Sequence, residues 1–356
     1  MTGIRVYPGT KVYILLPSNG ETGGLELLHQ LSYRLRTHLD IDASLYWPFD
    51  ITSNPTADAY AIYNNPTVYS IEDTPNNILI YPEVCSVFPY VDRQRNINKI
   101  MWWLSVDNFY ISRILSSKLN FFFHRIANKI CWIFGRGIVY DVPAVASERI
   151  SKSSKNLCED RMATQANFLF CQSMYAHDFL INSGFSREKL FYLSDYLNED
   201  FLKINTPRSG KENIVAYNPK KGFLFTRQII EPSSSITFVP LINMSRQQML
   251  ETLQRAKVYI DFGNHPGKDR IPREAAILGC CVITGKRGSA AFYEDIPIPD
   301  EYKFDDKEEN IHRIIHRVRD CLENYEERAK DFEHYRRVIR DEPSKFIADL
   351  RNIFVR

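Results

Sequence analysis

The stretch Y-I-D-F-G-N-H-P-G-K-D-R-I-P-R-E-A-A-I-L-G-C-C-V-I-T-G-K-R-G-S, residues 259–289, carries the pattern on which the fold turns. An apolar run ends at Asp261, a charged loop follows, PREAAILG has helical spacing, and CVITG is a second apolar run closed by a Gly-bearing loop. Strand, loop, helix and strand in that order make a parallel β/α/β unit. The loop brings His265, Lys268, Asp269, Arg270, Arg273 and Glu274 to the carboxyl end of a buried strand, where open α/β sheets bind ligands. Arginine and lysine donors match phosphate oxygens, and a carboxylate on the first helical turn can accept from both hydroxyls of a ribose. His265 by itself reads equally well as a site group or as a satisfied structural histidine.

The same alternation extends in both directions. Upstream, NIVAYNP, a helix-like segment from Gly222, ITFVPL, a helix over SRQQMLETLQRA and KVYIDFG complete a second α/β series. Its first strand runs into Y-N-P-K-K-G (217–222), where Lys220 and Lys221 beside helix-starting Gly222 suit a diphosphate; a surface turn is the plain alternative. The polar stretch NEDFLKINTPRSGKEN (198–213) reads as an interdomain linker. Before it, VYILLP (12–17), the loop SNGETGG and a helix bearing Leu27, Leu28, Leu31, Leu35 and Leu39 open a first α/β series, continued by ASLYW, NILIYP, KIMWWLSV, GIVYDV and NFLFCQS. Gly23 and Gly24 at that helix start, with Glu26 close by, can present backbone N–H groups to phosphate or a sugar hydroxyl, or merely allow tight packing. Beyond Asp305, Ile311, Ile314, Ile315, Val318 and Leu322 share a helical face, Pro343 interrupts its continuation, and Phe346, Ile347, Leu350 and Ile353 form a last helix.

At 356 residues the chain has room for two domains. A 44% hydrophobic, 25% charged composition with net charge +2 excludes a disordered or strongly polyanion-seeking chain, and nucleic acid is not an expected partner. Seven cysteines without metal-ligand spacing read as reduced core thiols. No run approaches 18 uncharged apolar residues, so neither a signal peptide nor a membrane span is expected, and the expected compartment is the cytosol.

Taken together, GGLELLHQLSYRL, FCQSMYAHDFLINSGFSREKLFYLSDYLNEDF (170–201), YNPKKG and PREAAILGCCVITGKRGS resemble, in order and spacing over residues 11–305, the GT-B glycosyltransferases. The similarity is greatest to the nucleotide-sugar-dependent group related to glycogen synthase and to bacterial capsule and lipopolysaccharide transferases. The resemblance implies an α/β fold of two Rossmann-like domains facing a central cleft. Residues 1–205 would bind the acceptor and 206–340 the nucleotide sugar, with a helix over 341–356 returning to the first domain. It implies that Glu274 holds the nucleotide ribose, that Lys220 or Lys221 holds phosphate, and that Gly288 and Ser289 lie near the donor. Retaining members carry a glutamate where this chain has Pro266, and Asp269 is the nearby substitute. The His-Pro pair is also similar to transferases of CMP-linked sugars.

Such enzymes meet the developing diphosphate charge with cations and helix dipoles, so no metal and no cofactor are expected. An inverting reaction needs a base for the acceptor hydroxyl, and Asp107 in WWLSVDN and Glu83 in IYPEV each end an apolar run, with Asp107 preferred. Residues 108–137 contain no acidic residue, five Lys or Arg, and aromatic residues throughout. Such a stretch can lie on the inner face of an anionic membrane, which suits a lipid-linked acceptor, or pack as a buried helix pair. The competing functions are a GT-B sugar-nucleotide epimerase and a noncatalytic glycan-binding scaffold.

Overall fold

The computed structural model describes residues 3–49, 56–116, 142–153, 157–204 and 210–356. Contacts divide the chain into unit 1, Met1–Ser194 with Ile347–Arg356, and unit 2, Asp195–Phe346. The division falls ahead of residue 205 because Leu197 and Phe201 are buried in the core of unit 2.

Unit 1 is built on strands β2 (Lys11–Leu15), β3 (Asp42–Tyr46), β4 (Thr67–Val68), β5 (Ile78–Pro82), β6 (Asn98–Trp103), β7 (Phe168–Cys171) and β8 (Leu190–Tyr192). All pairs are parallel, in the order β4-β3-β2-β5-β6-β7-β8. The central strands are buried on both faces, which is why they read as unbroken apolar runs. Helix α1 (Gly23–Leu39) starts where the Thr22 side chain accepts from the Leu25 N–H and stops at Asp40 in the left-handed region. Helix α2 (Val106–Ser116) takes up the start of the basic aromatic stretch. Its Phe109, Tyr110 and Ile114 are core residues; 117–137 lies outside the described residues. The same holds for 137–141 of the expected strand GIVYDV; Val142 begins helix α3 (Val142–Ser153). Helix α4 (Met174–Asn182), capped by Ser173, follows β7. The two-residue strands β1 (Ile4–Arg5) and β14 (Phe354–Val355) pair in parallel and tie the chain's last residues into unit 1.

Unit 2 repeats the style with β9 (Glu212–Tyr217), β10 (Thr237–Pro240), β11 (Ala256–Asp261), β12 (Cys281–Gly285) and β13 (Lys303–Phe304), parallel in the order β10-β9-β11-β12-β13. Helices α5 (Phe223–Ile230), α6 (Arg246–Arg255), α7 (Arg270–Ile277) and α8 (Ile311–Glu323) connect or cover these strands. Helix α9 (Glu333–Ile353) runs through Pro343 without a break, against the expected interruption. Proline in a helix interior costs about 3 kcal/mol. Tyr335, Ile339, Phe346 and Leu350 lie within 1% of complete burial on one stripe. At roughly 1.5–3 kcal/mol per buried side chain they outweigh it.

Candidate functional site

In each sheet the first strand has its neighbours on opposite sides, β3 and β5 about β2, β10 and β11 about β9. The crevice at the carboxyl ends of such a pair is the place where open α/β sheets bind ligands. In unit 2 three loops converge there so closely that only glycine fits. A Cβ on Gly222 would lie 2.2 Å from the Phe262 carbonyl oxygen, and one on Gly288 would lie 2.0 Å from that of His265. Both residues have positive φ, 61° and 59°, a region costly for other L-residues. The YNPKKG turn is thereby pressed against the loop after β11, and the loop after β12 against the other side of that loop. The Ser289 N–H donates to the His265 carbonyl at 2.8 Å and its hydroxyl to the Gly267 carbonyl at 2.6 Å.

The convergence assembles a charge cluster. Asp269, the residue preceding α7, leaves the helix N–H groups uncapped and turns its carboxylate to Lys221 Nζ at 2.8 Å and His265 Nδ1 at 3.2 Å. On the other side of the imidazole, Asp261 Oδ1 lies 3.7 Å from Nε2. Asp261 is fixed by the Tyr259 hydroxyl at 2.8 Å and the Gly263 N–H at 2.9 Å. His265 is fully buried. Burial favours its neutral form, yet Asp261 and Asp269 outweigh burial and raise its pKa above the usual value. Burial likewise pushes the Asp269 carboxyl up, and His265 and Lys221 overcome it and hold the carboxyl low. Ligand atoms of Asp261, His265 and Asp269 lie within 4.8 Å of one another, a separation a metal ion can bridge. The ammonium already bonded to Asp269 opposes a second cation there.

The remaining expected donor residues divide. Lys220 is exposed, and its backbone N–H is held by the Asn218 side chain at 3.0 Å. Glu274 is buried and stands on the second turn of α7, not the first, because the helix begins at Arg270. Arg270 opens that helix. Arg273 is fully buried and bonds to carboxylates of its own unit, Asp195 at 2.6 Å and Glu342 at 3.0 Å, while Lys268 pairs with Glu342 at 2.7 Å. These two cations, expected to hold donor phosphate, are bonded to buried carboxylates. Asp195, Glu342 and Asp261 were not among the expected residues.

In unit 1, Glu83 follows β5 at the switch point, 1% exposed, and accepts from the Leu104 N–H at 3.0 Å. Burial pushes its carboxyl up to about 7 despite the lowering effect of the N–H groups of Glu83, Leu104 and Ser105. A Cβ on Gly24 would touch Leu104 Cδ1 at 3.4 Å, so the first turn of α1 adjoins the end of β6 beside that carboxylate. Gly23 opens the helix. Asp107 is not at a strand end but on the first turn of α2, and it is buried. Glu26 turns inward to accept from the Tyr63 hydroxyl at 2.9 Å instead of facing the glycine loop. Nearby His29 is pushed down to about 4 by burial.

No protein-family model and no curated protein sequence matches the chain. Solved structures do. Anabaena HepE in complex with UDP-glucose superposes with a TM-score of 0.57 at 12% identity over 96% of this chain and 98% of that one. Sucrose-phosphate synthase from Thermosynechococcus elongatus superposes with 0.57 at 11% identity over 96% and 99%. S. aureus TarM in a complex containing UDP gives 0.50 at 14% identity over 80% of this chain; the chain spans only 56% of TarM. With two parallel Rossmann-like sheets in the order seen here, the chain has the fold of the GT-B glycosyltransferases.

Proposed function

We propose that the chain is a glycosyltransferase that moves a sugar from a nucleotide sugar to a hydroxyl of a bacterial cell-surface glycan or lipid-linked acceptor, without a metal or other cofactor. The observation that carries this reading is the Lys220-Lys221-Gly222 turn. It is locked at the carboxyl end of β9 by a contact that only glycine permits, with Lys221 36% exposed and its ammonium already oriented by Asp269. An ammonium has three donors, which suits it to phosphate oxygens. The N-terminus of α5 adds its partial positive charge. Two HepE structures, in complex with UDP-glucose and with UDP and glucose, support a nucleotide sugar as the ligand class for this fold.

In this reading Glu274 holds the ribose, and the backbone at Gly288 and Ser289 borders the donor. Glu83 is preferred over Asp107 as the base, because a carboxylate titrating near neutrality is matched to removing a hydroxyl proton. As a base takes the proton of the acceptor hydroxyl, the acceptor oxygen bonds to the anomeric carbon, the bond to the diphosphate breaks, and Lys220 and Lys221 meet the charge on the leaving group. The basic aromatic segment 108–137, of which 117–137 lies outside the described residues, is proposed to hold the protein on the inner face of an anionic membrane. None of the described helices is long and apolar enough to cross one.

The test is incubation with UDP-, GDP- and CMP-linked sugars, with and without lipid-linked and glycan acceptors, followed by measurement of released nucleotide and product. Acceptor-dependent nucleotide release is expected. An isomerised donor with no acceptor consumed selects the epimerase, and no turnover of any donor selects the scaffold.

A further inference from the structure

Lys221 is the only described side chain of the YNPKKG turn with an ion pair inside unit 2, and the chain of contacts behind it is long. Asp261 is fixed by the Tyr259 hydroxyl and the Gly263 N–H; His265 sits between Asp261 and Asp269; Asp269 holds Lys221. Three loops contribute, those after β9, β11 and β12, since the His265 carbonyl also receives the Ser289 N–H. A lysine ammonium on a flexible stem would ordinarily sample many positions. Here its carboxylate partner lies 3.2 Å from Nδ1 of the fully buried His265 ring.

Building on the nucleotide-sugar reading of this same site, we propose that His265 is a positioning residue: its imidazolium, held between Asp261 and Asp269, fixes Asp269 and through it Lys221 for the donor diphosphate. The groups that act most strongly on His265 are Asp261 from β11, Asp269 at the start of α7 and Lys221 from the turn after β9; from the loop after β12 the backbone at Gly288 and Ser289 meets its carbonyl. Loss of the proton leaves Asp269 with a single cation and frees it to turn from the crevice. Lys221 then loses its orientation while keeping its charge.

The experiment is a double-mutant cycle of His265→Asn and Lys221→Ala, read by calorimetry with UDP and with uridine, folding being checked by thermal denaturation. His265→Asn is expected to weaken UDP binding about 10-fold and uridine binding less than about 2-fold. In the Lys221→Ala background the same change is expected to alter UDP affinity less than about 2-fold. An equal loss in both backgrounds, or an equal loss for uridine, overturns the proposal and leaves His265 a structural residue. Should His265→Asn fail to fold, the wild-type protein decides: its UDP affinity is expected to fall as pH rises above the usual histidine range. Lys221→Ala, which experiences the same titration of UDP itself, supplies the baseline. Identical pH profiles overturn the proposal, as does stoichiometric zinc binding that His265→Asn abolishes. A wild-type protein that binds no nucleoside diphosphate removes the nucleotide reading itself, whereas UDP binding without coupling removes only the role of His265.

Discussion

Replacing Arg273 by alanine separates a bracing role from a donor-binding one. The guanidinium donates to Asp195 at 2.6 Å, to Glu342 at 3.0 Å and to the carbonyls of Lys268 and Asp269 at 3.0 and 3.2 Å, all within unit 2 and with none of its own surface exposed. After its removal Glu342 keeps Lys268 at 2.7 Å, whereas Asp195 loses the cation that chiefly holds its carboxyl low against burial. One buried charge is thus left without its main partner, a situation that costs about 3–5 kcal/mol. Arg273→Lys retains the charge but loses the two-pronged fork, so a smaller loss is expected.

Because all four tryptophans precede residue 195, their fluorescence reports unit 1 while far-ultraviolet circular dichroism reports both units. Urea denaturation followed by both signals should show the dichroism transition moved to lower urea by the equivalent of 3–5 kcal/mol, with the larger displacement in that signal. The loss should be greatest near neutral pH and shrink in acid, where an unpaired Asp195 can take up a proton. An unfolding free energy within about 1 kcal/mol of wild type would refute the reasoning and return Arg273 to the candidate ligand-binding set.

Other outcomes follow from the same geometry. Glu83 has a folded-state pKa raised to about 7 from an ordinary 4.5, so the native state favours its protonated form, and the stability this provides is lost as pH rises through about 7. Glu83→Gln should therefore gain on wild type by up to roughly 3 kcal/mol between pH 5 and 8 in thermal denaturation; parallel profiles would exclude it. Gly288→Ala adds a methyl 2.0 Å from the His265 oxygen at a φ of 59° and should lower stability by about 2–4 kcal/mol, measured as a fall in the urea midpoint. Pro343→Ala restores a helix donor inside α9 and should raise the midpoint by up to about 3 kcal/mol, an unchanged value arguing that the helix has already absorbed the break.

Much of the fold is legible in the chain because buried parallel strands leave apolar runs, and the runs at 12–17, 77–82, 213–219, 257–263 and 281–285 coincide with strands of the two sheets. What is not legible depends on distant partners. Strands β1 and β14 are two residues each and pair Ile4 with Phe354, too short and too far apart to leave a pattern. Arg273 reads as a phosphate ligand in the sequence because its carboxylate partners lie 78 and 69 residues away. Glu26 looked like part of a loop because nothing local announces Tyr63. The spacing of Asp261, His265 and Asp269, four residues at each step, is plain in the sequence, but only the folded loop turns it into a contact chain. Pro343 falls under a local helix-breaking rule that burial on both of its sides overrides.

The central claim is that the loops at the carboxyl end of the unit 2 sheet hold a nucleoside diphosphate. A crystal structure of the protein grown with UDP tests it most directly. The diphosphate is expected against Lys220, Lys221 and the N-terminus of α5, with Asp269 still bonded to Lys221. UDP lodged instead in the groove of α8 lined by His312, Arg313, His316 and Arg319 would contradict it.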